Sequence, residues 1–272
     1  MPAILLAALM SMTVAPSNAQ QAIATAPPGV LIKLSPGDYG RIEITGKTWT
    51  NPITIDASEA SLTLAIRRSA GVNVVGGKYS NAIGPAMNGY AIWVQQSERI
   101  NLKQLSISNS TRAIVLDRSR DIDVSGADMV GMKVDGIDIS SSQRIRITKS
   151  RCADFDTGKA HPDCIQMWSR PKEGITQDVE IIGNRSEGKM QGITGFNHIR
   201  NGVDDGGFDR ITISDNVVIG TFPNGIAINA CRDCTITNNV TKTAPGSKYR
   251  VSINIVRCER CTVKKNVSGG RP

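Results

Sequence analysis

Short phrases that alternate apolar and polar residues recur along this chain. They read A-I-W-V (91–94), A-I-V-L (113–116), G-I-D-I (136–139), C-I-Q-M (164–167), G-I-T-G (192–195), G-I-A-I (225–228) and S-I-N-I (252–255). Each is followed by a second phrase: R-I-N-L (99–102), D-I-D-V (121–124), R-I-R-I (144–147), D-V-E-I (178–181), R-I-T-I (210–213), D-C-T-I (233–236) and R-C-T-V (260–263). Successive first phrases lie 22, 23, 28, 28, 33 and 27 residues apart. A period of two marks a strand with one buried face. Two or three short strands cannot bury that face alone, but stacked units can. No amphipathic helical stretch separates the phrases, which argues against a βαβ sheet. The pattern predicts an all-β chain, a right-handed single-stranded parallel β-helix with coils about 4.8 Å apart. It predicts one such domain over residues 30–272, with Ile137, Ile165, Ile193, Ile226 and Ile253 in one internal column. The shorter phrases I-E-I (42–44), I-T-I (53–55), L-T-L (62–64) and V-N-V (72–74) supply the first coils.

Asn184, Asn216, Asn239 and Asn266 each stand three residues after the last aliphatic residue of a second phrase. Asparagine tolerates left-handed backbone and can hydrogen-bond along a stack, so a ladder at one bend is expected. The longest connections, 148–162, 183–190 and 197–209, all fall in the middle coils. Loops positioned by a rigid scaffold carry function, which places the binding groove around residues 135–210.

Composition narrows the partner. The chain of 272 residues carries a net charge of +8, with few aromatic residues and 26 glycines. That excess of positive charge suits an anionic partner. No Lys/Arg run or RNA-binding motif points to nucleic acid, whereas an acidic polysaccharide fits. The run from Ala3 to Met12 is too short to span a bilayer. With Ser17-Asn18-Ala19 it reads as a signal peptide over 1–19, followed by a linker over 20–29. A secreted or periplasmic protein, without a membrane span and monomeric, is the expectation.

Six cysteines are present. Cys231, Cys234, Cys258 and Cys261 form two C-x-x-C pairs that suggest zinc, yet their separation of 27 residues is also the coil spacing. Cys231 therefore stacks over Cys258, and Cys234 over Cys261. Buried thiols, inter-coil disulfides and a metal all remain open, but a structural zinc site is not expected.

Chemistry concentrates in two consecutive turns. Asp135 and Asp163 stack at the strand starts, Asp138 and Gln166 point outward three residues on, and His161 precedes Asp163. One of the two histidines thus lies among carboxylates. Carboxylates one coil apart repel, so one is expected to hold its proton more tightly. Trp168, Arg170, Lys189 and Arg200 flank this patch as candidate sugar-binding groups, while His198 reads as solvated surface. The expected roles are catalytic for His161, Asp163, Asp135 and Asp138. Gln166, Trp168, Arg170, Lys189 and Arg200 are expected to bind substrate, and no residue is expected to hold a metal. His161 or Asp163 is the expected proton-transferring group, with Arg170 or Lys189 on an anionic sugar.

The repeated G-I-x-I and I-x-I-x-x-N pattern resembles the secreted β-helix proteins of the pectate lyase and polygalacturonase superfamily. V-D-G-I-D-I-S and H-P-D-C-I-Q are similar to two polygalacturonase motifs, and Asp135 and Asp163 match catalytic carboxylates there. Pro162 replaces the first Asp of that family's pair, and the next coil reads Q-G-I-T-G rather than G-H-G. H-P-D-C-I-Q-M-W is closer to an H-x-D-x-I-Q-x-W phrase of bacterial β-helix proteins. P-G-D-Y-G (36–40) resembles the first coil of the alginate lyase and chondroitinase group, which implies a lyase with calcium as a cofactor. The resemblance implies an exported carbohydrate-active enzyme on an acidic polysaccharide, a lyase first and a glycoside hydrolase second. A non-catalytic polysaccharide-binding or envelope and adhesion module is the alternative.

Overall fold

Ile137, Ile165, Ile193, Ile226 and Ile253 stand one above another in five consecutive coils, as the phrase register predicts. They were located in a computed structural model that describes residues 10–81, 89–156, 158 and 161–270. The chain is a right-handed parallel β-helix. Each middle coil runs through three short strands. The first face holds Tyr90–Gln95, Arg112–Asp117, Asp135–Ser140, Asp163–Trp168, Gln191–Gly195, Asn224–Asn229 and Ser252–Val256. The second face includes Glu98–Lys103, Arg120–Ser125, Gln143–Thr148, Thr176–Ile182 and Phe208–Ser214. The third includes Ser106–Ser110, Asp128–Val130, Arg151–Ala153, Arg185–Gly188 and Val217–Gly220. Each of these strands pairs in parallel with its counterpart in the neighbouring coil, so the alternation in sequence becomes columns in space. The interior columns are aliphatic and almost dry, with Ile114, Ile137 and Ile165 each 0% exposed. Burying one such side chain contributes about 1.5–3 kcal/mol.

The bends are held by side chains standing in for backbone. At one, the asparagine ladder forms as expected. The Asn184 backbone N–H donates to Asn216 Oδ1 at 2.9 Å, and the Asn216 N–H donates to Asn239 Oδ1 at 3.0 Å. Ser150 extends the column one coil earlier, its N–H donating to Asn184 Oδ1 at 2.9 Å. A second ladder, of Ser69, Ser97, Ser119 and Ser142, fills the bend between the first and second faces.

The N-terminal end differs from expectation. Ser11–Val14 is a strand paired with Leu31–Leu34, so the solenoid begins before residue 30. Residues 20–29, expected as a linker, carry most of the helix Ala19–Ala24, which seats Ala19 and Ile23 on the open end of the core. The Gln20 amide pairs with both backbone groups of Glu43 and so covers a strand edge. Tyr39 and Trp49 reach back to the carbonyls of Val14 and Ala26. The physical reason is plain: an uncapped first coil would leave its apolar floor in water.

Cys231 and Cys258 form a disulfide between stacked coils, with Cα atoms 4.5 Å apart. Cys234 and Cys261 keep free thiols, and burial pushes that of Cys234 up to about 12. No helix among the described residues is long and apolar enough to cross a membrane.

Candidate functional site

The first-face strand starts carry Arg112, Asp135, Asp163, Gln191 and Asn224 in successive coils. Three residues further on stand Val115, Asp138, Gln166 and Thr194. These columns form one hydrogen-bonded floor. Arg112 Nε lies 2.6 Å from Asp138 Oδ2 and 3.4 Å from Asp135 Oδ2. Asp135 Oδ1 accepts the Asp163 backbone N–H at 3.0 Å. Asp163 Oδ1 accepts the Thr194 hydroxyl at 2.7 Å, and its Oδ2 receives the amides of Gln166 at 3.3 Å and Gln191 at 3.4 Å.

Asp135, Asp138 and Asp163 are 3%, 1% and 0% exposed, so all three sit beneath the surface rather than on it. That corrects the expectation that they would present their oxygens to substrate. The neighbouring side chains of Arg112, Gln191 and Thr194 cover them. One guanidinium faces two of the three buried carboxylates, Asp135 and Asp138, and burial disfavours charge. Burial pushes Asp163 up to about 8, against the Thr194 hydrogen bond and helped by the charge of Asp135. Asp138 rises well above the usual carboxylate range, through burial first and then Asp135. Asp135 rises through burial, opposed by the Asp163 N–H and by Arg112. These residues do not suit calcium: Arg112 already stands between Asp138 and Asp135 where a cation would sit.

Above the floor opens a cleft of about 1040 Å³. His161, Gln166, Trp168, Arg170 and Arg200 line it, as the sequence suggests. Lys189 does not. It lies on the turn after the third-face strand Arg185–Gly188, and its charge acts on Asp156. Arg170 lines the wall but already holds Asp117 Oδ1 at 3.2 Å and Glu173 Oε2 at 2.6 Å, so its charge is largely met. Lys172 also lines the cleft.

His198 was read as surface, yet it lines the same cleft. The chain's two histidines therefore face one space. Each is backed by a buried aspartate. His161 Nδ1 is 3.9 Å from Asp163 Oδ2 and 3.2 Å from Gln191 Nε2. His198 Nδ1 is 3.5 Å from Asp205 Oδ2, which also accepts the His198 backbone N–H at 2.7 Å. Asp205 Oδ1 accepts the Gly207 N–H at 2.9 Å, and the carboxylate is 4% exposed. The strands Ile199–Arg200 and Val203–Asp204 form an antiparallel hairpin whose neck is this His198–Asp205 contact. The signal in sequence was the 33-residue coil spacing, the longest in the chain. Met167, Phe196, Phe222 and Pro223 complete an apolar part of the wall.

A disulfide fixes the approach of His161. Cys152 on the third face bonds to Cys164, twelve residues on, next to Asp163. The loop that carries His161 is thus closed at its base. Gly136 makes room for it: a Cβ there would lie 2.4 Å from the Cys164 carbonyl oxygen and 3.0 Å from Cys152 Sγ.

No protein-family model matches this chain, and no curated protein matches it in sequence. Solved structures do match in shape. An alginate lyase from Paenibacillus sp. str. FPU-7 superposes with a TM-score of 0.50 at 16% identity, over 93% of this chain and 99% of that one. A surface adhesin of Streptococcus pneumoniae gives 0.56 at 13% identity, over 90% and 83%. An endo-xylogalacturonan hydrolase from Aspergillus tubingensis gives 0.51 at 12% identity, over 90% and 79%. At such identities the likeness is one of fold, and the fold is the parallel β-helix.

Proposed function

We propose that the chain is an exported carbohydrate-active enzyme that cleaves an acidic polysaccharide by elimination. The observation that carries this reading is the pair of imidazoles on one cleft, each with a buried aspartate behind it. Imidazole exchanges protons near neutral pH. In elimination a base takes the proton on the carbon beside the uronate carboxylate, a C=C bond forms, and the glycosidic C–O bond breaks. A nearby cation stabilises the charge that builds on the carboxylate. Lys172 and Arg200 line the cleft for that role. Among the described residues neither has a carboxylate within ion-pair distance.

Hydrolysis needs two carboxyl groups flanking the scissile bond. Here Asp135, Asp138 and Asp163 are buried, and the acidic residues that line the cleft, Glu173 and Asp205, face Arg170 and His198. This favours elimination over hydrolysis. The two disulfides support an oxidising compartment, the cell surface or periplasm. The fold's presence in an alginate lyase and an endo-xylogalacturonan hydrolase agrees with a glycan partner.

The test is a screen against alginate, polygalacturonate and other uronate polymers, read by absorbance of the unsaturated product and by reducing ends. Both signals are expected together. Reducing ends without absorbance would mean hydrolysis, and binding without turnover would mean an adhesive module. His161→Ala and His198→Ala should each lower turnover by about 10²–10⁴-fold.

A further inference from the structure

We propose that the two histidines have different tasks: His198 is the base that takes the substrate proton, and His161 is a neutral hydrogen-bond donor. The assignment rests on the elimination chemistry proposed above, and it follows from what each Nδ1 atom meets.

His198 Nδ1 faces Asp205 Oδ2 at 3.5 Å. An ionised carboxylate only accepts hydrogen bonds. The proton of the neutral ring therefore belongs on Nδ1, and Nε2 keeps a lone pair. When Nε2 gains a proton, Asp205 is in place to balance the new charge. Asp205 is itself held by the backbone N–H groups of His198 and Gly207, which fixes its direction.

His161 Nδ1 meets the opposite partner, an amide. Gln191 Nε2 lies 3.2 Å away. The orientation of that amide is set from behind, because Gln191 Oε1 accepts the Asn224 side-chain N–H. Gln191 can then offer only its NH₂ group to the ring. Nδ1 must accept, and the ring proton belongs on Nε2. Asp163 is the competing neighbour, but its oxygen is farther, at 3.9 Å, and burial keeps that carboxyl protonated up to about 8. In this arrangement a proton on Nδ1 would point at the Gln191 NH₂ group rather than at an acceptor. Its Nε2–H remains a fixed donor in an exposed position.

The step balances with one proton carrier. His198 Nε2 takes the proton from the carbon beside the carboxylate. The C–H electron pair becomes the new C=C bond as the glycosidic C–O bond breaks. The departing oxygen takes a proton back from the His198 imidazolium, which restores the base. His161 donates a hydrogen bond to the carboxylate oxygen on which charge gathers and gives up no proton. Gln191 and Asp205 are positioning residues, acting through the two rings.

The assignment can be read without substrate. Long-range ¹⁵N–¹H spectra of uniformly labelled protein, recorded from about pH 6 to about pH 9, distinguish the two neutral ring forms. Only two imidazoles contribute, and His161→Gln and His198→Gln variants assign them. The expected result is Nε2–H for His161 and Nδ1–H for His198. The same form in both rings, or the reverse, overturns the proposal whatever the polysaccharide screen shows. Gln191→Glu places an acceptor at His161 Nδ1 and should move that ring alone to the Nδ1–H form; an unmoved ring overturns the role of Gln191. On a polymer that is turned over, His161→Asn keeps a donor and should lose about tenfold or less, while His198→Asn should lose about 10²–10⁴-fold. Equal losses would overturn the division of tasks, whereas absence of turnover in the wild type would sink the elimination reading and leave the ring forms to decide this one.

Discussion

Asp163 illustrates how a single carboxyl can be legible in sequence and still surprise in structure. Its phrase, H-P-D-C-I-Q, placed it beside Asp135, because strand-start residues of adjacent coils must be neighbours. Its depth was not legible, because Gln191 and Thr194, which cover it, come from the following coil, and Arg112, which shields its neighbours, from a preceding one. The burial has a pH consequence. In the folded chain Asp163 holds its proton up to about 8, whereas an unfolded aspartate releases it near 4. The folded state binds the extra proton, so the stability it confers is full below about pH 4 and is lost as pH rises to about 8. Asp163→Asn removes this loss. Its melting temperature should fall less than that of the wild type between about pH 5 and about pH 9, with parallel curves overturning the assignment. His198 was missed for a related reason. Nothing in its local phrase is unusual; only the hairpin that returns Asp205 to it sets it on the cleft beside a buried carboxylate.

The ladders decide which phrases could be read. First-face and second-face strands announce themselves by alternation, since one side of each meets an aliphatic core. Third-face strands such as Arg151–Ala153 and Arg185–Gly188 are three to five residues long, too short to show a period, and went unread in detail. The asparagine column was readable because it recurs at a fixed offset. Its energetic weight is testable. In Asn216→Ala, the Asn184 N–H and the Ile181 carbonyl each lose a buried partner. Each such orphan costs about 1–3 kcal/mol. Urea unfolding should show Asn216→Ala losing more stability than Asn266→Ala, whose column ends at the partly exposed last coil. Equal losses would mean that water replaces the ladder freely. A third column went unnoticed although its letters stand in the second phrases. Arg99, Asp121, Arg144, Asp178, Arg210, Asp233 and Arg260 alternate in charge down the second face, every one with positive φ. Asp121–Arg144, Asp178–Arg210 and Asp233–Arg260 are direct pairs at 2.6, 2.5 and 2.6 Å. Exposed pairs contribute about 0–1 kcal/mol each, so the column speaks to register more than to stability.

The solenoid as an object is set by its stacking and by its cap. The cap was the part least visible in the sequence. An apolar stretch before Ser17-Asn18-Ala19 resembles a leader, while in the fold Val14, Ala19 and Ile23 close the core. A chain starting at Gln20 would lack the Ser11–Val14 strand and the carbonyl that binds the Tyr39 hydroxyl. It should melt well below a chain starting at Met10, since one buried aliphatic side chain is worth about 1.5–3 kcal/mol. Equal melting temperatures would show that the strand is dispensable. The charge column, finally, gives the molecule a parity. Coils are the natural units in which such a repeat is lengthened or shortened, yet Arg and Asp alternate from coil to coil. Excising the coil of Asp178 would set Arg144 against Arg210, while excising the coils of Asp178 and Arg210 together would set Arg144 against Asp233 and keep the alternation. A family of such chains, growing by whole turns, would be counted in twos.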